Sequence, residues 1–221
     1  MKKYGKKPAG RYDTSGLIEA QFEPGSRRRV LRNLLGIKSK REMDRIEARA
    51  QVRALLKLTK TYGRRHRFTS ADICQIHRIW LGDIYAWAGR YRQVNLTKDN
   101  FTFAAANQIA RLMEEFEKGP LREFTPCHFA TTDQIARALA VVHTELVLVH
   151  PFRDGNGRVA RLLVTLMAMQ GDLPSLDFSN LKGHKRNEYY AAVRSGLDRN
   201  YNPMEYIFID VIAKSLRKHR T

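Results

Sequence analysis

Between two apolar, helically spaced segments lies the run His150-Pro151-Phe152-Arg153-Asp154-Gly155-Asn156-Gly157-Arg158-Val159-Ala160-Arg161. The upstream segment, from about Asp133, places Ile135, Leu139, Val142 and Leu146 on one face, and the downstream segment does the same with Val159, Leu162, Leu163, Leu166 and Met167. The run is therefore read as a loop joining two core helices. Gly155 and Gly157 let backbone N–H groups turn inward, and a helix starting near Arg158 points its positive end at the same spot. Arg158 and Arg161, three residues apart, can clamp phosphate oxygens from one helix face. Asp154 is a carboxylate beside a cationic anion hole. A divalent metal bridging it to phosphate, Mg²⁺ above all, explains that juxtaposition and points to a nucleotide. His150, with an ordinary pKa near neutrality, is the natural general base for a hydroxyl attacking phosphorus. Pro151 fixes the backbone after it, and Phe152, counted with the phosphate-binding loop, anchors that loop in the core.

The pattern His-Pro-Phe-x-Asp-Gly-Asn-Gly-Arg-x-x-Arg resembles the signature of the Fic family at every defining position, and the resemblance runs over about 26–215. It implies an all-α fold, a single Fic-type helical domain of about eight helices with a β-hairpin flap over the active site. It also implies a protein adenylyltransferase that moves AMP from ATP to a Tyr, Ser or Thr hydroxyl of a target protein. His150 would be catalytic. Phe152, Gly155, Asn156, Gly157, Arg158 and Arg161 would bind ATP, Asn156 and the backbone donors serving the α-phosphate and the two arginines the β,γ-phosphates; Asp154 would hold Mg²⁺. The phosphorylating Doc branch lacks the second glycine and the following arginine, so Gly157 and Arg158 favour AMP. Transfer of UMP or phosphate, removal of AMP, and a basic nucleic-acid-binding module with a vestigial motif stay open as alternatives.

Two further stretches carry functional expectations. The alternation Arg90-Tyr91-Arg92-Gln93-Val94-Asn95-Leu96, a turn over 97–100 and Phe101-Thr102-Phe103 predict a β-hairpin. With the preceding Asp83-Ile84-Tyr85-Ala86-Trp87-Ala88-Gly89-Arg90 it resembles the Fic flap. By that resemblance Val94, Asn95, Leu96, Thr97 and Lys98 dock the target's backbone by strand addition. In residues 1–25, an N-terminal tail ahead of the 26–221 Fic domain, Ser15 and Glu19 match the spacing of the family's inhibitory Ser/Thr-x-x-x-Glu-Gly/Asn motif. Ala20 departs from its last position. Glu19 is the candidate inhibitor through Arg161, and a small antitoxin supplying the glutamate in trans is the rival.

The remaining pattern reads as scaffold. Helices are expected over 27–35, from a Ser39-to-Glu42 capping box to Tyr62, from Thr69–Asp72 towards Trp87, over 104–118, from a Thr132-Asp133 cap into the motif, around Tyr189 and Tyr190, and from Asn202-Pro203. Residues 180–187 are expected to be loop. His77 and His143 are expected to be packed or hydrogen-bonded rather than catalytic, and Tyr189 and Tyr190 are core residues or the adenine wall. A chain of 221 residues with 43% apolar content and no apolar run near membrane-spanning length reads as one soluble domain. The basic N-terminus lacks an apolar stretch, so a cytoplasmic location is expected. Cys74 and Cys127 are expected to be reduced. The formal charge of +18 fits an acidic protein partner, and without interleaved aromatics direct nucleic-acid binding is not expected. Related toxin-type Fic proteins act on DNA gyrase and topoisomerase IV, and members of the family often self-associate.

Overall fold

The computed structural model describes residues 14, 16–98 and 101–219. The architecture is helical: α1 (Lys40–Thr61), α2 (Ser70–Leu81), α3 (Ile109–Phe116), the single turn α4 (Arg122–Phe124), α5 (Thr132–Val149), α6 (Asn156–Gln170), α7 (His184–Ser195) and α8 (Asn202–His219). The one sheet among the described residues is the two-stranded hairpin β1 (Thr97–Lys98) and β2 (Phe101–Thr102). Among the described residues no helix is long and apolar enough to cross a membrane.

Helix α5 is the centre. It packs against α6, α7 and α8, and Ala136, Leu139, Ala140, Val142 and Leu146 are almost wholly buried. Its start is fixed by Thr131, whose hydroxyl accepts from Gln134 N while the Gln134 side chain returns to Thr131 N. That is one residue before the expected cap and worth about 1 kcal/mol. Thr69 and Asp72 form the same reciprocal pair at α2, and Ser39 accepts from Glu42 N at α1.

Several expectations are corrected by local chemistry. Residues 27–35 are not helical. Arg27 and Arg28 have φ of 53° and 58°, the Ser26 hydroxyl bonds to Val30, and Asn33 Oδ1 accepts from Leu35 N and Ile37 N. These side chains offer the backbone an alternative to a helical ladder, and Phe22 bridges Leu31 in antiparallel fashion instead. Helix α2 stops at Leu81 rather than running towards Trp87. Gly119-Pro120 does not end the α3 region: Pro120 has no N–H for an α ladder, and a π-helical turn over Glu117–Leu121 carries the chain on into α4. Helix α7 begins at His184, inside the stretch expected to be loop.

The expected strand over 90–96 is also absent. Arg92 N donates to Pro151 O at 2.9 Å, so this stretch takes a partner from the motif loop. Pairing is confined to Thr97 with Thr102 and Lys98 with Phe101, extended by Phe103 N to Leu96 O at 3.1 Å. The expected turn residues Asp99 and Asn100 lie outside the described residues.

Candidate active site

The motif occupies the junction of α5 and α6, as the flanking apolar faces require. His150 closes α5 in the left-handed region, with φ 53° and ψ 56° and its N–H on Leu146 O. That conformation costs a non-glycine residue about 1–2 kcal/mol, so the surroundings must hold it. Its imidazole Nδ1 lies 3.0 Å from Val147 O. A carbonyl only accepts, so Nδ1 carries the proton and Nε2 keeps its lone pair. The ring stacks on Phe103 with centroids 3.6 Å apart. Burial, reinforced by the charges of Arg92 and Lys98, lowers its pKa to about 4. At neutral pH it is a neutral base of fixed tautomer.

Gly155 precedes α6 with φ +82°, and an added Cβ would lie 2.7 Å from the Trp80 ring. Only glycine allows both the turn and the approach to α2. The helix therefore begins at Asn156 rather than near Arg158. At this helix start the N–H groups of Asn156 and Gly157 have no acceptor four residues back, and both residues line a cavity of about 830 Å³. The Asn156 side chain is turned away from that role. It is buried, with Oδ1 accepting from Phe152 N and Nδ2 donating to Phe152 O, both at 2.8 Å, and it closes the loop on itself.

Phe152 is 0% exposed and stacks on His77 with centroids 4.0 Å apart. It does not line the cavity, so its place in the expected ATP-binding set is corrected to anchoring the loop in the core. His77 is hydrogen-bonded on both sides, which the pattern showed only as a histidine on an apolar face. Gly89 N donates to its Nδ1 at 2.7 Å, leaving Nε2–H for Asp154 O at 3.1 Å.

The two motif arginines differ. Arg158 is ion-paired with Glu47 of α1, lies over Trp80 at 4.5 Å, and reaches Asp154 at 3.6 Å. Glu47 is itself 2% exposed and accepts from Tyr85 OH at 2.7 Å, so its carboxylate is buried and bonded on both oxygens while the Arg158 side chain stays part-exposed. Arg161 anchors Nε on Gly157 O at 3.0 Å, has no carboxylate partner among the described residues, and lines the cavity. Arg158 lines the same cavity, and of the two motif arginines Arg161 is the one whose charge meets no carboxylate among the described residues. Lys98, Lys182 and Arg194 add to the cationic wall, against the single lining carboxylate of Asp154.

Asp154 is half exposed and accepts Gly155 N at 2.6 Å. Among the described residues no cluster of three or more metal-ligating side chains exists. One carboxylate in a phosphate cradle fits Mg²⁺, which takes its other ligands from phosphate and water.

The expected flap residues divide. Leu96, Thr97 and Lys98 line the cavity. Val94 is 7% exposed, and Asn95 turns back to accept from Ala106 N at 2.9 Å. Tyr189 and Tyr190 both line the cavity, with Tyr189 OH 2.9 Å from His143 Nε2. Ser15 lies outside the described residues. Glu19 is buried at the flap root, Oε1 accepting from Gln93 N at 2.6 Å, and makes no ion pair with Arg161 among the described residues. The inhibitory contact expected from spacing is not formed, because the Glu19 carboxylate is already engaged.

A sequence model of the Fic/DOC family matches residues 67–168, which hold α2, the hairpin, α5 and the motif. This stretch of the chain matches the Fic/DOC family. The chain is 34% identical over 145 residues to protein adenylyltransferase VbhT of Bartonella schoenbuchensis, covering 64% of this chain and 29% of that protein. It is 37% identical over 123 residues to protein adenylyltransferase fic-1 of Caenorhabditis elegans, covering 55% of this chain and 23% of that protein. It therefore spans less than a third of these relatives. BepC from Bartonella tribocorum with bound AMPPNP shares the Fic fold at a TM-score of 0.69 and 21% identity, over 89% of this chain and 97% of that one. The N-terminal Fic domain of a putative cell filamentation protein from Bartonella quintana with bound ADP superposes at 0.69 with 25% identity, over 87% of this chain and 94% of that one.

Proposed function

We propose that this chain is a Fic-family protein adenylyltransferase, joining AMP from ATP to a hydroxyl of a target protein and releasing pyrophosphate. The observation that carries this reading is His150. Its protonated Nδ1 is held on Val147 O, and the unprotonated Nε2 stands in a cationic cavity with unpaired helix-start donors. The curated relatives named protein adenylyltransferases, and the structural neighbours solved with AMPPNP and ADP, support the same chemistry.

The chain's own groups divide the steps. Nε2 of His150 takes the hydroxyl proton as the oxygen attacks the α-phosphorus. The N–H groups of Asn156 and Gly157 receive the charge that builds on the α-phosphate oxygens, and Arg161 holds the β,γ-end as the bond to pyrophosphate breaks. Arg158, tied to Glu47, braces Asp154 and the loop. Asp154 would hold Mg²⁺, which when bound neutralises phosphate charge. Leu96, Thr97 and Lys98 present the flap to an extended segment of the target.

Arg161 without a carboxylate partner among the described residues favours control in trans, by a small antitoxin whose glutamate takes the guanidinium, over control by Glu19. In a lysate with Mg²⁺ and α-³²P-ATP, the wild type should label protein and His150→Ala should lose at least about 10²-fold in rate while still binding ATP. Equal labelling by the variant would end this mechanism, and transfer from γ-labelled ATP alone would change the group moved to phosphate.

A further inference from the structure

We propose that Arg92, with Glu19 as its buried counter-charge, is a positioning residue that sets His150 and the root of the flap as one unit. This rests on the reading of His150 as the base. Arg92 is 1% exposed and lies outside the signature run. Its Nε donates to the carbonyl of His150 at 2.8 Å, Nη1 to Val94 O at 2.6 Å and Nη2 to Ala104 O at 2.6 Å. Its own backbone N–H takes Pro151 O. Val94 and Ala104 flank the hairpin, so one guanidinium joins both legs of the flap to the residue that would abstract the proton.

The carbonyl of His150 belongs to a residue held in the left-handed region. Fixing that carbonyl fixes the backbone from which Nδ1 reaches back to Val147 O, and so fixes the tautomer. The planar fork suits three divergent carbonyls, which a lysine ammonium cannot satisfy together. No carboxylate among the described residues lies within ion-pair distance of Arg92. Glu19 is the acidic group whose charge acts on it. Glu19 bridges the same two parts from outside, with Oε1 on Gln93 N of the flap root and its carbonyl taking Arg153 Nε of the motif loop at 2.8 Å. A segment docked on the flap is thereby held in register with Nε2.

The test uses the full chain as wild type, Arg92→Lys, Arg92→Ala and Glu19→Gln. Four quantities are compared: the thermal melt, ATP affinity by calorimetry, the rate of label transfer, and the imidazole ¹⁵N resonances of His150. For Arg92→Lys the transfer rate should fall about 10²-fold, with ATP affinity within about threefold of wild type. The His150 spectrum should pass from the Nδ1–H tautomer to a mixture, and guanidinium ion should restore part of the rate to Arg92→Ala. A rate within about threefold of wild type overturns the proposal. So does a lost rate with an unchanged His150 tautomer, or with ATP binding lost in proportion. If the arginine variants do not fold, Glu19→Gln carries the test through the same His150 signal, and no change there overturns the proposal. A wild type that transfers no label removes the adenylyltransferase reading, while the tautomer comparison still decides the role of Arg92.

Discussion

Two of the seven histidines, His77 and His143, are buried and a third, His150, is largely enclosed, all as neutral rings, and that makes the fold acid-sensitive well above the range where carboxylates titrate. Burial lowers His77 to about 4 and His150 to about 4. Burial, with the nearby charge of Arg161, lowers His143 to about 3. Each ring takes up a proton on unfolding, where its pKa returns to about 6.5. The unfolded state therefore binds more protons below that value, and stability falls as pH drops from about 6.5 towards the folded pKa values. At pH 5 the linkage relation gives a loss of about 2 kcal/mol for each ring, about 6 kcal/mol together, against a usual total of about 5–15 kcal/mol. Asp72 and Asp177, whose pKa values are depressed, contribute stability that is lost only below about 4, so they leave this window clear. Urea unfolding at pH 8 and pH 5 measures the difference, and about 2.7 protons should be taken up per molecule unfolded near pH 5. A loss below about 2 kcal/mol with an unchanged denaturant slope would refute the burial argument for these rings. One functional consequence is that His150 remains a neutral base throughout the folded range. The acid limb of the transfer rate should then follow unfolding rather than a titration near 6.5.

Gly155→Ala should destabilise the chain by about 2–3 kcal/mol, since it adds a strained φ to a Cβ clash with Trp80, and should weaken ATP binding; urea unfolding and calorimetry read the two effects. Glu47→Ala leaves the buried Tyr85 OH without its acceptor and removes the partner of the part-exposed Arg158, and should cost about 1–3 kcal/mol by the same unfolding measurement, whereas Glu47→Gln, which keeps the acceptor for Tyr85, should cost less. Glu19→Gly should lower the transfer rate, because it removes the acceptor of Gln93 N; a rise in rate in the labelling assay would instead show that the carboxylate leaves the flap root to block Arg161. The placement of the motif between two helices was open to reading because it is local. His150, Asp154, Gly155 and Arg161 belong to a twelve-residue run whose two flanking apolar faces fix it between α5 and α6.

The residues that hold this run in shape were far less legible, and the reason is the length of chain across which each contact forms. Glu47 meets Arg158 across 111 positions, Arg92 meets His150 across 58, and Glu19 meets Gln93 across 74. Periodicity reports which face of an element is buried, and only tertiary packing decides what a polar group on that face will find. Glu47 did leave a trace, as a carboxylate on the stripe that buries Met43, Ala50 and Ala54. A charged group there is tolerated only with a partner. Arg92 left a misleading one, since its alternating neighbours read as a strand while its donors were reserved for three loop carbonyls. Glu19 shows the same limit from the other side: four-residue spacing proposed an inhibitor, and the backbone N–H of Gln93 had already taken the carboxylate. In this fold the motif residues are placed by neighbours in sequence, and the loop they form is braced by buried charges from α1, the N-terminal segment and the flap root.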